Sequence, residues 1–307
     1  MGSEILISEV GPRDGLQSVS RVMSLQAKCA WIDAEHAAGV REIEVGSFVS
    51  PKLLPQMADT AAVVEHALTL SGLTVAVLVP NLRGAEAAVE SGAHKITIPF
   101  SASQTHSIKN VRRTHVQMFE ETSRIVALLS ELPAERRPRF EAGISTAFGC
   151  TYQGKVQPDD VIRLSVKLIE IGCDTVGLAD SVGYANPQQI KALVRAVVDA
   201  IGRERFAGLH LHNTRGLGLA NVVAGLELGV DSFDSSLAGL GGCPFAPGAT
   251  GNIVTEDLAF MLEAMGFRTG IDLVKLLKVR DLLAQALPGE ELNGYLPAAG
   301  LPLGFQG

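Results

Sequence analysis

The sequence predicts an α/β fold, a (β/α)8 TIM barrel with an added C-terminal helix. Short apolar runs typical of buried strands alternate about eight times with amphipathic helical stretches. Strands alternating with helices imply parallel pairing, and about eight such units imply a closed barrel. The length of 307 residues agrees, because one α/β barrel commonly takes roughly 250 residues or more.

An open, doubly wound sheet is the alternative fold. Such a sheet usually carries a Gly-x-Gly-x-x-Gly turn after its first strand. Here the corresponding position reads Gly11-Pro12-Arg13-Asp14-Gly15. The sequence therefore favours the barrel.

The elements follow one another without a break in the pattern. We predict strands over residues 5–10, 41–48, 73–79, 95–100, 140–148, 175–179, 207–213 and 232–238. We predict helices over residues 25–38, 57–70, 82–91, 114–130, 158–171, from 187 onward, 217–228, 252–265 and 273–287. Gly39 closes the first helix, and Pro158 and Pro187 each open a helix at its first turn. Segments 101–113 and 239–251 are expected to be irregular loops that follow strands, where a barrel keeps its active-site loops.

The whole chain is expected to form a single domain over residues 1–307. The barrel takes about residues 4–266, and a C-terminal helical extension takes about 267–307. No linker or second domain is visible in the composition.

Composition and charge exclude several functional classes. The chain is 47% hydrophobic and 19% charged, which is typical of a globular protein with a large core. The formal net charge is −7, which argues against nucleic acid as a partner. No apolar run approaches the roughly 18 residues that a membrane span needs. The four cysteines are widely spaced without a Cys-x-x-Cys pair, so we expect a reducing, cytoplasmic location.

His210 and His212 lie two residues apart on the seventh predicted strand. Side chains at positions i and i+2 of a strand point to the same face. A single buried histidine is more often a hydrogen-bonded core residue. Two imidazoles on one face at a barrel mouth favour a metal ion instead.

Further polar residues fall at the carboxyl ends of the predicted strands, where barrel enzymes place their chemistry. Taken alone, each has a structural explanation as well: Asp14 as a turn residue, Asn252 as an N-cap, Glu44 as half of an ion pair. Together they form a candidate site with the two histidines: Arg13, Asp14, Glu44, Asp180, Cys243 and Asn252.

The candidate donors combine nitrogen and oxygen ligands. Two imidazoles, a carboxylate such as that of Asp14 and an amide oxygen such as that of Asn252 suit octahedral Mg²⁺ or Mn²⁺ better than a tetrahedral structural Zn²⁺. No cysteine lies near the histidine pair in the sequence, which also argues against structural zinc.

Cys243 lies between Gly241-Gly242 and Pro244. A glycine-rich loop can hinge or approach a ligand closely, so it is a poor place for a packing residue. A buried loop cysteine is the alternative; we favour a functional role.

These same residues carry a family resemblance. The chain resembles the 3-hydroxy-3-methylglutaryl-CoA (HMG-CoA) lyase family of metal-dependent, barrel-fold carbon–carbon lyases. The resemblance covers nearly the whole chain. It rests on Glu9-Val-Gly-Pro-Arg-Asp-Gly-Leu-Gln17, Ser47-Phe-Val-Ser-Pro-Lys52, Leu237-Ala-Gly-Leu-Gly-Gly-Cys-Pro-Phe245, Gly251-Asn252 and Thr255-Glu-Asp-Leu258.

The resemblance implies a lyase that breaks the C2–C3 bond of a 3-hydroxyacyl-CoA and releases acetyl-CoA and a keto acid. It implies Asp14, His210, His212 and Asn252 as ligands of a divalent metal, Mg²⁺ or Mn²⁺. The catalytic residues would be Arg13, Glu44, Asp180, His210 and Cys243, with Arg13 against the enolate oxygen and Cys243 as the acid that protonates the enolate carbon. Substrate contacts are expected from Arg13, Gln17, Ser47, Ser145, Gly241 and Gly242, and a homodimer is expected.

Three residues depart from the usual pattern of the family. Asn213 replaces an aspartate, Arg215 replaces a tyrosine, and Gly143 stands where the methylglutaryl-specific enzymes generally carry an aromatic residue. Loss of that aromatic residue would enlarge the acyl pocket. Citramalyl-CoA or a longer branched 3-hydroxyglutaryl-CoA is therefore an alternative substrate.

Two other functional classes compete with the lyase. A condensing enzyme of the same superfamily would run the carbon–carbon bond formation forward, but such enzymes usually carry an extra C-terminal domain. A catalytically silent barrel would not need both Cys243 and the histidines.

Overall fold

Eight parallel strands form a closed barrel in the computed structural model of the protein, which describes residues 3–241 and 251–305. Each strand pairs with the next in chain order, and the eighth pairs with the first. The predicted barrel is confirmed. Its strands are β1 Leu6–Glu9, β2 Glu42–Ser47, β3 Thr74–Leu78, β4 Lys95–Ser101, β5 Arg139–Ser145, β6 Thr175–Asp180, β7 Phe206–Leu211 and β8 Ser232–Ser235.

Helices surround the barrel and continue beyond it. Pro158 and Pro187 stand at the first positions of α6 and α7, as predicted. The C-terminal extension supplies α10 and the short α11. The helices are α1 Leu25–Ala37, α2 Thr60–Ala67, α3 Leu82–Ser91, α4 Gln104–Val111, α5 His115–Ser130, α6 Pro158–Ile171, α7 Pro187–Ile201, α8 Gly218–Leu226, α9 Thr255–Ala264, α10 Leu273–Ala286 and α11 Leu296–Ala299. None of the helices in the described part of the chain is long and apolar enough to cross a membrane.

The prediction of an irregular loop over residues 101–113 was wrong for its central part. Helix α4 occupies Gln104–Val111, and the Ser103 hydroxyl caps it by accepting a hydrogen bond from His106 N. The helix has only eight residues, and Ile108 and Val111 are its two apolar ones, so it lacks the longer apolar pattern by which the other helices were predicted. Most of the other predicted loop, 239–251, lies outside the described residues.

The strands alternate between two faces. On β4, Ile96, Ile98 and Phe100 are fully buried, whereas Lys95 and Thr97 line a cavity inside the barrel. This alternation follows from the period of two in an extended strand. The hydrophobic core therefore lies mainly between the strands and the outer helices.

Glu9, the last residue of β1, connects the first strand of the barrel to the segment that follows the last strand. Its carboxylate accepts hydrogen bonds from Gly11 N (2.8 Å), Leu237 N (2.9 Å) and the Thr255 hydroxyl (2.6 Å). Burial raises the pKa of Glu9 to about 8, because the three donors offset only part of the cost of desolvating the charge. A Cβ at Gly11 would lie 2.6 Å from Glu9 Oε1, so this turn requires glycine.

We predict that Glu9 makes the protein less stable as the pH rises from about 4.5 to about 8. A carboxyl whose pKa is raised on folding contributes its full stability below the unfolded pKa of 4.5 and loses it as the pH passes the folded pKa of about 8. Glu9→Gln cannot ionise. The difference in unfolding free energy between wild type and Glu9→Gln should therefore fall with pH when urea denaturation is measured at pH 5.5 and 8.5. A difference that stays constant or grows would contradict a neutral Glu9.

Candidate active site

A π-helical turn over Gly11–Gly15 follows β1 and places two predicted site residues at the barrel mouth. The carbonyl of Val10 accepts hydrogen bonds from the amides of Arg13, Asp14 and Gly15. Wide turns of this kind are rare and frequent at functional sites. The turn directs the side chains of Arg13 and Asp14 into the cavity inside the barrel.

Arg13 is held between two carboxylates. Its Nε donates to Glu44 Oε2, and its Nη1 donates to Asp14 Oδ1 at 2.6 Å. Gln17 Nε2 donates to the same Asp14 oxygen at 2.7 Å. Four residues predicted for the site thus form one network, and all four line the cavity.

The two histidines meet at their Nε2 atoms, which lie 3.1 Å apart. His210 belongs to β7, but His212 lies just beyond the strand, in a bridge with Asn252. Asp14 Oδ2 lies 3.9 Å from His210 Nε2. Asp14, His210 and His212 each offer one donor atom, and the three donors lie within 4.8 Å of one another.

Asn252 completes this cluster. Its Nδ2 donates to Asp14 Oδ2 at 2.7 Å and to the Leu240 carbonyl at 3.1 Å. Gly241 packs against the amide: a Cβ there would lie 2.6 Å from Asn252 Nδ2, and the backbone has a left-handed φ of 109°. The glycine therefore leaves room for Asn252 beside Asp14.

The protonation states of Asp14 and His212 suit metal ligands. Burial raises the pKa of Asp14, but the charges of Arg13 and the histidines outweigh it and lower the pKa to about 2. Burial lowers the pKa of His212 to about 3, and the neighbouring His210 lowers it further. Burial also lowers the pKa of His210, but a hydrogen bond to Asp234 and the charge of Asp14 outweigh it, so the net pKa is raised. At neutral pH the cluster thus holds an ionised carboxylate and a neutral His212.

Two buried polar atoms in this cluster have no hydrogen-bond partner within the described chain. They are His212 Nδ1 and Asn252 Oδ1. A buried polar group without a partner is costly. A carboxylate, two imidazoles and an amide oxygen are also a donor set that a divalent cation accepts. The residues therefore fit a metal ion.

The sequence did not single out Asp234, which supports the cluster. Asp234 Oδ2 lies 3.1 Å from His210 Nδ1 and orients the ring so that Nε2 faces Asp14. A carboxylate behind a ligating imidazole is a common arrangement at metal sites. Its position could have indicated this role, because Asp234 points inward from β8 and β8 pairs with β7, which carries His210.

Other predicted residues separate into three groups. Ser47, Ser145 and Gly241 line the cavity. Asp180 is fully buried, and its carboxylate accepts from Tyr184 N (2.8 Å) and Ala185 N (3.0 Å), so it fixes the turn after β6. Gly242 and Cys243 lie outside the described residues.

Asn213 and Arg215, the two residues beside the histidines that differ from the family pattern, contact neighbouring segments. Asn213 Oδ1 accepts from Gly218 N at 3.0 Å, at the start of α8. Arg215 Nη1 donates to the carbonyls of Val182 and Gly183, and its guanidinium lies 4.6 Å from the Tyr184 ring. Arg215 therefore braces the loop after β6.

Comparisons with known proteins agree with this architecture. The HMGL-like family model matches residues 4–283. The mitochondrial hydroxymethylglutaryl-CoA lyase of Macaca fascicularis is 40% identical over 284 residues, which are 92% of this chain and 86% of the relative. A 3-hydroxy-3-isohexenylglutaryl-CoA/hydroxy-methylglutaryl-CoA lyase of Pseudomonas aeruginosa is 41% identical over 270 residues, 88% of each chain.

Solved structures give the same result. An HMG-CoA lyase from Acinetobacter baumannii, in complex with coenzyme A and 3-methylmalate, superposes with a TM-score of 0.91 at 39% identity. The match covers 99% of this chain and 97% of that one. Together with the barrel and the Asp14–His210–His212 cluster, these matches show that the chain belongs to the HMG-CoA lyase-like family.

Proposed function

We propose that the protein is a divalent-metal-dependent acyl-CoA lyase that cleaves HMG-CoA or a related 3-hydroxyacyl-CoA to acetyl-CoA and a keto acid such as acetoacetate. The observation that carries the proposal is the cluster of Asp14, His210 and His212 at the mouth of the barrel cavity. Its occurrence in a chain of the HMG-CoA lyase-like family supports carbon–carbon lyase chemistry.

The proposed metal ligands are Asp14, His210, His212 and Asn252, and the proposed ion is Mg²⁺ or Mn²⁺. When bound, the ion would supply Lewis acidity toward the C3 hydroxyl and a neighbouring substrate oxygen. Asp234 holds the His210 ring, and Gln17 and Arg13 hold the Asp14 carboxylate.

Cleavage of the C2–C3 bond requires that the hydroxyl proton leaves and that an enolate charge is stabilised. Glu44 lines the cavity, and burial raises its pKa, so it is suited to accept a proton. Arg13 is the proposed cation against the enolate oxygen, since its guanidinium stays charged and is fixed by Glu44 and Asp14.

Protonation at C2 then gives acetyl-CoA. We propose Cys243 as the acid, on the glycine-rich loop that follows β8. Asp180 acts as a positioning residue, through the turn that its carboxylate holds. Ser47, Ser145, Gly241 and Gly242 complete the proposed set of substrate contacts.

The cavity mouth also offers cations for the CoA moiety. Lys109 and Arg112 line the cavity at the end of α4, whereas the neighbouring Arg113 lies 3.6 Å from Glu121. Phosphate groups of CoA are the natural partners of such cations. A homodimer is proposed from the family resemblance, and a cytoplasmic location from the four widely spaced cysteines.

Citramalyl-CoA and longer branched 3-hydroxyglutaryl-CoA thioesters remain the alternative substrates. The longer thioesters gain support from Gly143, where a Cβ would meet, among the described residues, only Thr97 Cγ2, at 3.4 Å. The Pseudomonas aeruginosa relative, named for an isohexenyl as well as a methyl substrate, also supports a pocket that admits longer groups.

The lyase activity can be tested directly. Purified protein with Mg²⁺ or Mn²⁺ should release acetyl-CoA from at least one thioester in a panel of HMG-CoA, citramalyl-CoA and longer branched analogues. EDTA should abolish the activity, and added metal should restore it. Mass spectrometry of the keto product identifies the substrate class. If no member of the panel yields acetyl-CoA, the lyase assignment is wrong.

Gly241 provides a test of the metal site that does not depend on turnover. Gly241→Ala should weaken Mn²⁺ binding by about 10-fold or more in a calorimetric titration, because the new Cβ displaces the Asn252 amide. Gly229→Ala is the matched control: Gly229 also has a positive φ, 74°, but a Cβ there meets no atom of the described residues within 4 Å. Equal Mn²⁺ affinities in the two variants would contradict the role of Asn252.

A further inference from the structure

The barrel interior below the cluster of Asp14, His210 and His212 is hollow. TIM barrels usually fill this space with layers of bulky, branched side chains. Here the cavity at the mouth continues inward to the other end of the barrel, with a total volume of about 580 Å³. We call its inner part the interior chamber, and it is lined by Ser8, Ala76, Lys95, Glu141, Gly143 and Gly177.

Small residues at inward positions create this space. Ala76 on β3, Gly143 on β5 and Gly177 on β6 stand where larger side chains would fill the barrel. Gly143 lies in extended backbone, without the positive φ that would require glycine. The backbone conformation therefore does not require glycine at this position, and the effect of the missing side chain is to leave space in the chamber.

The chamber extends from the carboxyl ends of the strands toward their amino ends. Lys95 and Ser101 are the first and last residues of β4, which has seven residues. Asp14 and the histidines lie at the carboxyl ends of the strands, whereas Lys95 lies at the opposite end.

The far end of the chamber is charged. Lys95 Nζ lies 3.0 Å from Glu42 Oε1 and 3.0 Å from Glu141 Oε2. Two carboxylates, those of Glu42 and Glu141, thus outnumber the single ammonium group there. A further carboxylate would be repelled, and a hydrocarbon would remove water from these charges without replacing its hydrogen bonds.

A group that binds at this end must be uncharged and must form hydrogen bonds. A hydroxyl does both, because it can donate to Glu141 and accept from Lys95. We propose that the interior chamber is a subsite for the substituent at C3 of the acyl chain, and that the preferred substrate carries there a chain longer than methyl that ends in an uncharged hydrogen-bond donor. This inference rests on the proposed lyase function and specifies its substrate class.

The test compares three 3-hydroxyglutaryl-CoA thioesters with methyl, pentyl or 4-hydroxybutyl at C3. The last two have equal numbers of heavy atoms and differ in the terminal hydroxyl. Wild-type enzyme with Mg²⁺ should show a kcat/KM for the 4-hydroxybutyl substrate about 10-fold or more above that for either other substrate. Equal or higher values for pentyl or methyl would overturn the proposal.

Gly143→Phe fills the chamber, and Gly143→Ala is its matched control, since a Cβ there makes only ordinary contact with Thr97. The ratio of kcat/KM for 4-hydroxybutyl over methyl should fall about 100-fold in Gly143→Phe and less than about 3-fold in Gly143→Ala. A ratio that Gly143→Phe leaves unchanged would overturn the subsite. If Gly143→Phe does not fold, the wild-type preferences alone decide.

The two proposals fail differently. Cleavage of the methyl substrate without a preference for 4-hydroxybutyl would overturn the chamber as a subsite and leave the lyase function intact. Absence of acetyl-CoA from all three thioesters and from citramalyl-CoA, with either metal, would overturn the lyase function and the subsite together.

Discussion

The carboxylate of Asp14 links elements that are far apart in the sequence. Its Oδ1 accepts from Arg13 and Gln17 on the turn after β1, and its Oδ2 accepts from Asn252 before α9. The same Oδ2 faces His210 on β7. A buried, ionised carboxylate needs compensating charge. Arg13 supplies part of it, and the proposed cation would supply the rest between Asp14, the imidazoles and Asn252.

Closure of the barrel brings these groups together. Strand β8 pairs with β1, and Glu9 binds the loop after β8 and the start of α9 to the end of β1. The turn that carries Arg13 and Asp14 begins directly after this anchor. The site is therefore supported by buried backbone contacts. The glycines at positions 11 and 241 leave room for the Glu9 carboxyl and the Asn252 amide, which lie close to the backbone there.

The sequence could predict the barrel and the meeting of Asp14, His210, His212 and Asn252, because the carboxyl ends of parallel strands share one face of a barrel. It could not predict the chamber. Lys95, Glu42 and Glu141 lie on three different strands, and their pairing depends on the register of a closed sheet. Helix α4 was missed because its eight residues are mostly polar, and its capping residue Ser103 was the available cue.

The direct measurement of the central claim is pulsed electron paramagnetic resonance of the Mn²⁺-loaded protein. Two directly coordinated histidine nitrogens should appear in wild type, and one should remain in His212→Gln. Asp234→Asn, which alters the support of His210 without removing a ligand, should keep both. A spectrum without directly bound nitrogen, or one that His212→Gln leaves unchanged, would contradict a metal held between Asp14 and the two imidazoles.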